Sequence, residues 1–181
     1  EPRGIITMQA STANSNRVAE SLNHLFILEV VSTITRNTLT DGPENEAEAL
    51  EVNTKLESLG NEVGYRFIER AAQNRLIPTE PLEAIKFICK DLWQDIFGKA
   101  VDKLQTNHRG VFVLKDFAFK WISRHSSKSD IGIKKSQAKL LRFPCGVLRG
   151  SLANLGFTAI VTADVESNDS GQITSFHIRL A

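Results

Sequence analysis

Cysteine, methionine and tyrosine are close to absent from this chain, at two, one and one of 181 residues. Two thiols, Cys89 and Cys145, do not make a disulfide framework and suit a reducing compartment, where thiols stay free. Long apolar runs are missing too: none approaches the roughly 18 residues that a membrane-spanning helix needs. Neither sign of charge is in excess, because 22 basic against 21 acidic residues leave a net +1. No global field therefore draws the chain to nucleic acid or to anionic lipid. There is no Walker A sequence, Gly-x-Ser-x-Gly elbow, His-Glu-x-x-His or Cys-x-x-Cys, each of which its chemistry needs locally. His24, His108, His125 and His177 are too scattered for metal-ligand spacing. No metal and no cofactor is expected.

What is present is ordinary globular composition, 41% apolar and 24% charged. The length suits one compact domain. Glu1 to Ser15 has no periodicity and lacks a basic region followed by an apolar core, so it reads as a flexible tail and not as a secretory signal. A single domain is expected over residues 16–181. The chain opens at Glu1 and its only methionine is Met8, so it reads as beginning inside a longer protein.

Ser15 or Asn16 is placed to cap a first helix, in which Val18, Leu22, Phe26, Val30 and Ile34 recur every four residues, with Leu25 alongside. Asp41-Gly42-Pro43 is turn chemistry and ends it. In a second helix Val52, Leu56, Leu59, Val63 and Phe67 form one stripe. Gly60 and Gly64 lie inside that helix, each at a cost of about 1 kcal/mol relative to alanine. Being four apart, they share a face, and the expected compensation is a second backbone packed very close, from this fold or from a partner. A third helix opens at Thr79 or Glu80 with Pro81 in its first turn. Its stripe is Leu82, Ile85, Cys89, Leu92 and Ile96, continued by Val101 and Leu104 to a stop near Asn107–Gly110.

The period then changes. Val111–Leu114 reads as a strand, Lys115-Asp116 as a turn and Phe117–Ile122 as a second strand of a hairpin. Arg124–Ser136 reads as a mobile loop, and Gln137–Phe143 fits a strand or a helix. Pro144 starts a helix that Gly156 closes. Phe157–Val165 and Ile173–Leu180 read as strands joined by a polar turn. Three helices, a hairpin, a helix and a hairpin predict an α+β fold, with helices on one side of an antiparallel sheet.

Few groups could carry chemistry. Cys145, near the start of the helix predicted from Pro144, sits where a thiol pKa can fall. A base would have to come from His108 or His177, and the plainer reading is a buried thiol. Cys89, on an apolar stripe, reads as core. Gly146 and Gly150 repeat the spacing of Gly60 and Gly64, so two such helices can cross closely or lie flat on the sheet. The sharper reading is a phosphate cradle beside Arg149. Charge is locally uneven: Asp41–Ala72 has three basic and eight acidic residues, and Gly110–Gly150 has nine basic and two acidic. A basic edge of this kind suits lipid headgroups or an acidic partner, or is simply solvated. Few aromatics interleave with the lysines, which argues against nucleic acid.

Three stretches are distinctive together: residues Leu82 to Trp93 (LEAIKFICKDLW), Asp102 to Gly110 (DKLQTNHRG) and Phe143 to Gly156 (FPCGVLRGSLANLG). They resemble the subunit 6 family of the TRAPP vesicle-tethering complex. Leu59-Gly60, Val63-Gly64 and Ile68-Glu69-Arg70 resemble the second helix of that family, and the similarity runs from about Val18 to the C-terminus. The resemblance implies an α/β plait and a non-catalytic structural subunit. Such a subunit pairs with a subunit 3 paralogue of the same fold and joins other TRAPP core subunits. The assembled complex exchanges guanine nucleotide on a Rab GTPase in endoplasmic reticulum to Golgi and Golgi traffic, through other subunits. The implied location is cytoplasmic, peripherally at Golgi and endoplasmic reticulum membranes. The subunit 3 paralogue has an acyl channel entered at a helical cysteine; the second helix here has none, so acylation is not carried over.

Candidate partner residues are Leu22, Phe26 and Val30 on the first helix and Val52, Leu56, Leu59 and Val63 on the second. The alternatives are a small-ligand or acyl-chain binding module, and a thiol enzyme built on Cys145.

Overall fold

The computed structural model describes residues 20–38, 45–73, 76–107, 109–123, 130–168 and 171–181. In chain order the elements are α1 (Glu20–Thr38), α2 (Glu46–Ala71), α3 (Pro81–Phe87), a π-helical turn (Ile88–Leu92) and α4 (Trp93–Phe97). There follow β1 (Lys103–Thr106), β2 (Val111–Asp116), α5 (Lys120–Ser123), α6 (Asp130–Asn154), β3 (Ala159–Asn168) and β4 (Gly171–Leu180). The four strands form one antiparallel sheet in the order β1-β2-β4-β3. The fold is α+β, as the element pattern implied.

Alternation gives the sheet two unlike faces. Phe112 stands opposite Ile178, Leu114 opposite Phe176 and Val161 opposite Ile178, and all five are buried. The other face carries Lys103, Lys115, Thr162, Asp164, His177 and Arg179. Under the buried face lies an aromatic group, Trp93, Phe97, Phe119, Trp121, Phe143 and Phe176, with ring centroids 4.3–6.0 Å apart. Within it the Trp93 indole is satisfied, because Trp93 Nε1–H donates to Asp116 Oδ2 at 3.1 Å. Lys99 Nζ then joins Asp116 Oδ1 (2.8 Å) to Asp102 Oδ2 (2.6 Å), and Asp102 also accepts from the Phe117 N–H.

Several boundaries differ from expectation. The third helix stops at Gly98, which takes a left-handed φ of 78° and donates to Gln94 O. The Val101 N–H then reaches back to Cys89 O, so the chain turns away ten residues early and Leu104 enters a strand. β2 accordingly pairs with β1 before it, Leu104 opposite Leu114, and not with Phe117–Ile122. Gly110 supplies the left-handed residue of that turn, φ 80°, and Asn107 Oδ1 accepts from the Arg109 and Val111 N–H groups. Phe117–Ile122 alternates like a strand, but Phe119, Trp121 and Ile122 are all buried and the segment curls into α5. Rings packing on Trp93 and Phe97 override the strand pattern.

Asp130–Ser136 is helical and not a loop, and Pro144 lies inside the 25-residue α6 instead of starting it. An interior proline costs about 3 kcal/mol, which the packing of α6 against α2 offsets. Gly156 closes α6 as expected, at φ 91° with its N–H on Ala153 O. β3 and β4 are longer than expected and absorb Glu166 and Gln172 from the predicted turn. The tail over 1–15, the caps Ser15 and Asn16, Val18, Asp41-Gly42-Pro43, His108 and His125 lie outside the described residues.

Candidate functional site

The four helical glycines meet one another. A Cβ on Gly60 or Gly64 would come under 3.0 Å from the backbone of Phe143 or Val147. One on Gly146 or Gly150 would come equally close to the backbone of Glu57 or Asn61. α2 and α6 therefore cross backbone to backbone, which removes the glycine cost noted above by adding close contacts along both faces. The crossing is also tied by polar groups: Ser151 Oγ donates to Gly64 O at 3.1 Å and Asn154 Nδ2 to Tyr65 O at 2.9 Å. Arg149 forms an ion pair with Glu57. The phosphate-cradle reading of Gly146 and Gly150 is thereby overturned. They lie far from the N-terminus of α6, α2 fills the space, and Arg149 already has a carboxylate.

The thiol-enzyme reading is overturned as well. Cys145 sits inside α6 with no free helix N-terminus beside it. Burial pushes its pKa up to about 12, and burial does the same to Cys89. At neutral pH both remain protonated and a nucleophilic thiolate is scarce. His177 stands on the polar face of the sheet, its Nε2 3.4 Å from Asp164 Oδ2. Among the described residues no three His, Cys, Asp or Glu side chains gather to hold a metal ion. Surface depressions of about 430 and 360 Å³ are lined by mixed charged and apolar side chains, and neither includes a cysteine.

The seven candidate partner residues divide. Val52 and Leu56 are completely buried within this chain, so they leave the candidate surface and belong to the core. The reason is that α1 and α6 both pack against α2, and the middle of its stripe is covered from both sides. Leu59 and Val63 keep 36% and 38% of their surface. On α1, Leu22 is 58% and Phe26 63% exposed, and Val30 is half-buried. Leu25, also exposed, extends this face. The helix seats itself instead on His24 and Ile27, with Leu28 and Val31 half-buried against the core. A signal for that arc was present, since Ile27, Val31 and Ile34 also follow helical spacing. It competed with an equally regular stripe, and the period alone does not rank two apolar arcs of one helix. Burial of α1 against α2 and α6 thus leaves its other apolar arc, with the edge of α2 at Leu59 and Val63, on the surface.

The described residues thus form a helix-covered antiparallel sheet with an apolar helical face left exposed and both thiols buried. Comparison with known proteins narrows this. Residues 23–181 match the family model of the "Transport protein particle (TRAPP) component". The chain belongs to that family. It is 38% identical over 144 residues to the human and the bovine trafficking protein particle complex subunit 6B, covering 77% of this chain and 90% of each relative. To human subunit 6A it is 37% identical, over 76% of this chain and 83% of the relative. These place it in the subunit 6 group. A crystal structure of trafficking protein particle complex subunit 3 from Naegleria fowleri, covalently bound to palmitic acid, has the same fold. The TM-score is 0.62 at 15% identity, over 90% of this chain and 97% of the other. No helix among the described residues is long and apolar enough to cross a membrane.

Proposed function

We propose that this chain is a non-catalytic scaffold subunit of a TRAPP complex and pairs with a subunit 3 paralogue through the α1–α2 face. The observation that carries the reading is the exposure of Leu22, Leu25 and Phe26 on one helix and the partial exposure of Leu59 and Val63 on the next. Exposed apolar clusters of this kind mark protein interfaces. A stable pair buries roughly 1,200–2,000 Å² in total, a demand that two helical faces of the observed lengths suit. In this reading the complex acts on a Rab GTPase in endoplasmic reticulum to Golgi and Golgi traffic. This subunit supports that exchange from the cytoplasmic side, with peripheral contact at most to those membranes. The palmitate of the solved subunit 3 does not transfer to this chain: α2 has no cysteine, and both thiols are buried elsewhere.

Size-exclusion chromatography with light scattering tests the pairing, using this chain mixed with a subunit 3 paralogue from the same source. A one-to-one species is expected. Leu22→Glu with Phe26→Glu should abolish it and leave the chain monomeric and folded by circular dichroism. A wild-type chain that ignores the paralogue, or a double variant that still pairs, sinks the proposal.

A further inference from the structure

The two edges of the sheet are unlike. β1, at one edge, has four residues and carries Lys103. β3, at the other, runs ten residues in unbroken register with β4, from Ala159 opposite Leu180 to Asn168 opposite Gly171, with no bulge, proline, glycine or lysine. Natural edges are usually shortened, bulged or given lysine or proline, because unpaired N–H and C=O groups recruit another strand. β1 follows that practice in length and lysine, whereas β3 keeps its full length and register and carries only the outer-face carboxylates Asp164 and Glu166.

Hydrogen-bond parity identifies the free groups. The Ala181 N–H donates to Thr158 O at 2.9 Å, one step beyond the 159–180 pair, so the even-numbered residues of β3 bond to β4. The Leu180 N–H donates to Gly110 O, which gives the even-numbered residues of β4 to β2 and confirms the parity. In an antiparallel pair the intervening residues direct their backbone groups away from the partner. Ala159, Val161, Ala163 and Val165 therefore turn N–H and C=O to the open edge. Among the described residues no hydrogen bond reaches those groups. Their side chains face the core, with Ala159 and Val161 buried, which holds the edge in place. Along the outer face of the same strand stand Ile160, Thr162, Asp164 and Glu166, all exposed.

We propose that β3 accepts an extended segment of a partner protein as a fifth strand, with basic side chains beside Asp164 and Glu166 and an apolar one beside Ile160. Backbone pairing supplies the attraction and alternate side chains the selectivity. Cross-strand opposite charges favour such a segment, whereas a second copy of β3 would add two more carboxylates to the junction. This edge uses no residue of the α1–α2 face, so either surface can fail alone.

Hydrogen exchange on the 181-residue chain tests this, with a synthetic ten-residue peptide that alternates lysine with valine and ends in isoleucine. In the chain alone the amides of Ala159, Val161, Ala163 and Val165 should exchange faster than their neighbours. Saturating peptide should slow them by about tenfold or more. Ala163→Pro removes one outward N–H and no bond to β4, so it should weaken peptide binding about tenfold, by anisotropy, while β4 stays protected. Asp164→Lys with Glu166→Lys should weaken it similarly and does not depend on a proline being tolerated. The proposal is overturned if those amides are already protected in dilute chain, or become so only as its concentration rises. It is overturned equally if the peptide leaves them unchanged, or if a glutamate version of the peptide protects them as well as the lysine version does.

Discussion

α1 and α6 both lie on α2, and they do so by opposite means. α6 approaches until the backbones touch, through four glycines, and fixes the crossing with Ser151, Asn154 and the Arg149–Glu57 pair. α1 rests on one narrow arc around His24 and Ile27 and leaves Leu22, Leu25 and Phe26 in solvent. In sequence the two contacts look alike, as apolar or small residues four apart. Packing to backbone distance leaves no room for a partner, whereas a one-sided seat leaves an apolar arc to be covered. The close contact therefore belongs to the fold, and the open arc is the surface proposed above for pairing.

That division can be tested by substitution, beginning where the damage should be greatest. Leu56→Glu places an unpaired carboxylate in a fully buried site and should destabilise the chain by more than about 4 kcal/mol. Urea denaturation, or loss of soluble expression, reads this; a folded monomer that merely fails to pair would return Leu56 to the interface. Gly64→Val pushes a side chain into the Val147 backbone and should cost about 3 kcal/mol as the helices separate. A stability change within error would mean that the crossing is looser than described.

Smaller effects are expected at the polar group beside the aromatic core. Burial alone would lower the Lys99 pKa, but its bonds to Asp102 and Asp116 outweigh that and raise it above 10.5. Burial alone would raise Asp102, but the Lys99 and Phe117 N–H bonds hold it below 3.8. The Asp102 contribution is thus complete above its unfolded value and is lost as pH falls through the depressed folded value. The Lys99 contribution is complete below its unfolded value and is lost as pH rises through the raised one. Asp102→Asn should flatten the acid limb of a stability-against-pH curve and weaken the alkaline limb; unchanged limbs would remove the group from the stability balance. The least effect on stability is expected at Phe26→Ser, within about 0.5 kcal/mol, as for other exposed sites. A larger loss in the isolated chain would mean that the α1 face supports the fold and is not reserved for a partner.

Legibility from sequence followed the range of the interactions. The start of the third helix at Pro81, the Gly156 that closes α6, and the strands around 159–165 and 173–180 follow from local chemistry, and they appear where residue type puts them. Phe117–Ile122 and the run beyond Gly98 depart from their periodicity, because a period of two or of 3.6 shows which residues share a side but not what they pack against. Pro144 departs for the same reason: a proline normally opens a helix, and here the α2 contact keeps one inside. On the candidate surface, Leu22 and Phe26 lie in the open while Val52 and Leu56, with an equally regular stripe, are enclosed.

Residue order alone carries the class of fold, the resemblance to the family and the need for a close backbone contact at Gly60 and Gly64. Those rest on turn chemistry, periodicity and residues with no side chain to accommodate. Long-range packing settles that Gly146 and Gly150 meet that need from within the chain, which arc of α1 faces outward and which edge of the sheet stays open. Each of these depends on which two distant segments approach each other, and the choice between faces of equal periodicity is made by the packing they find.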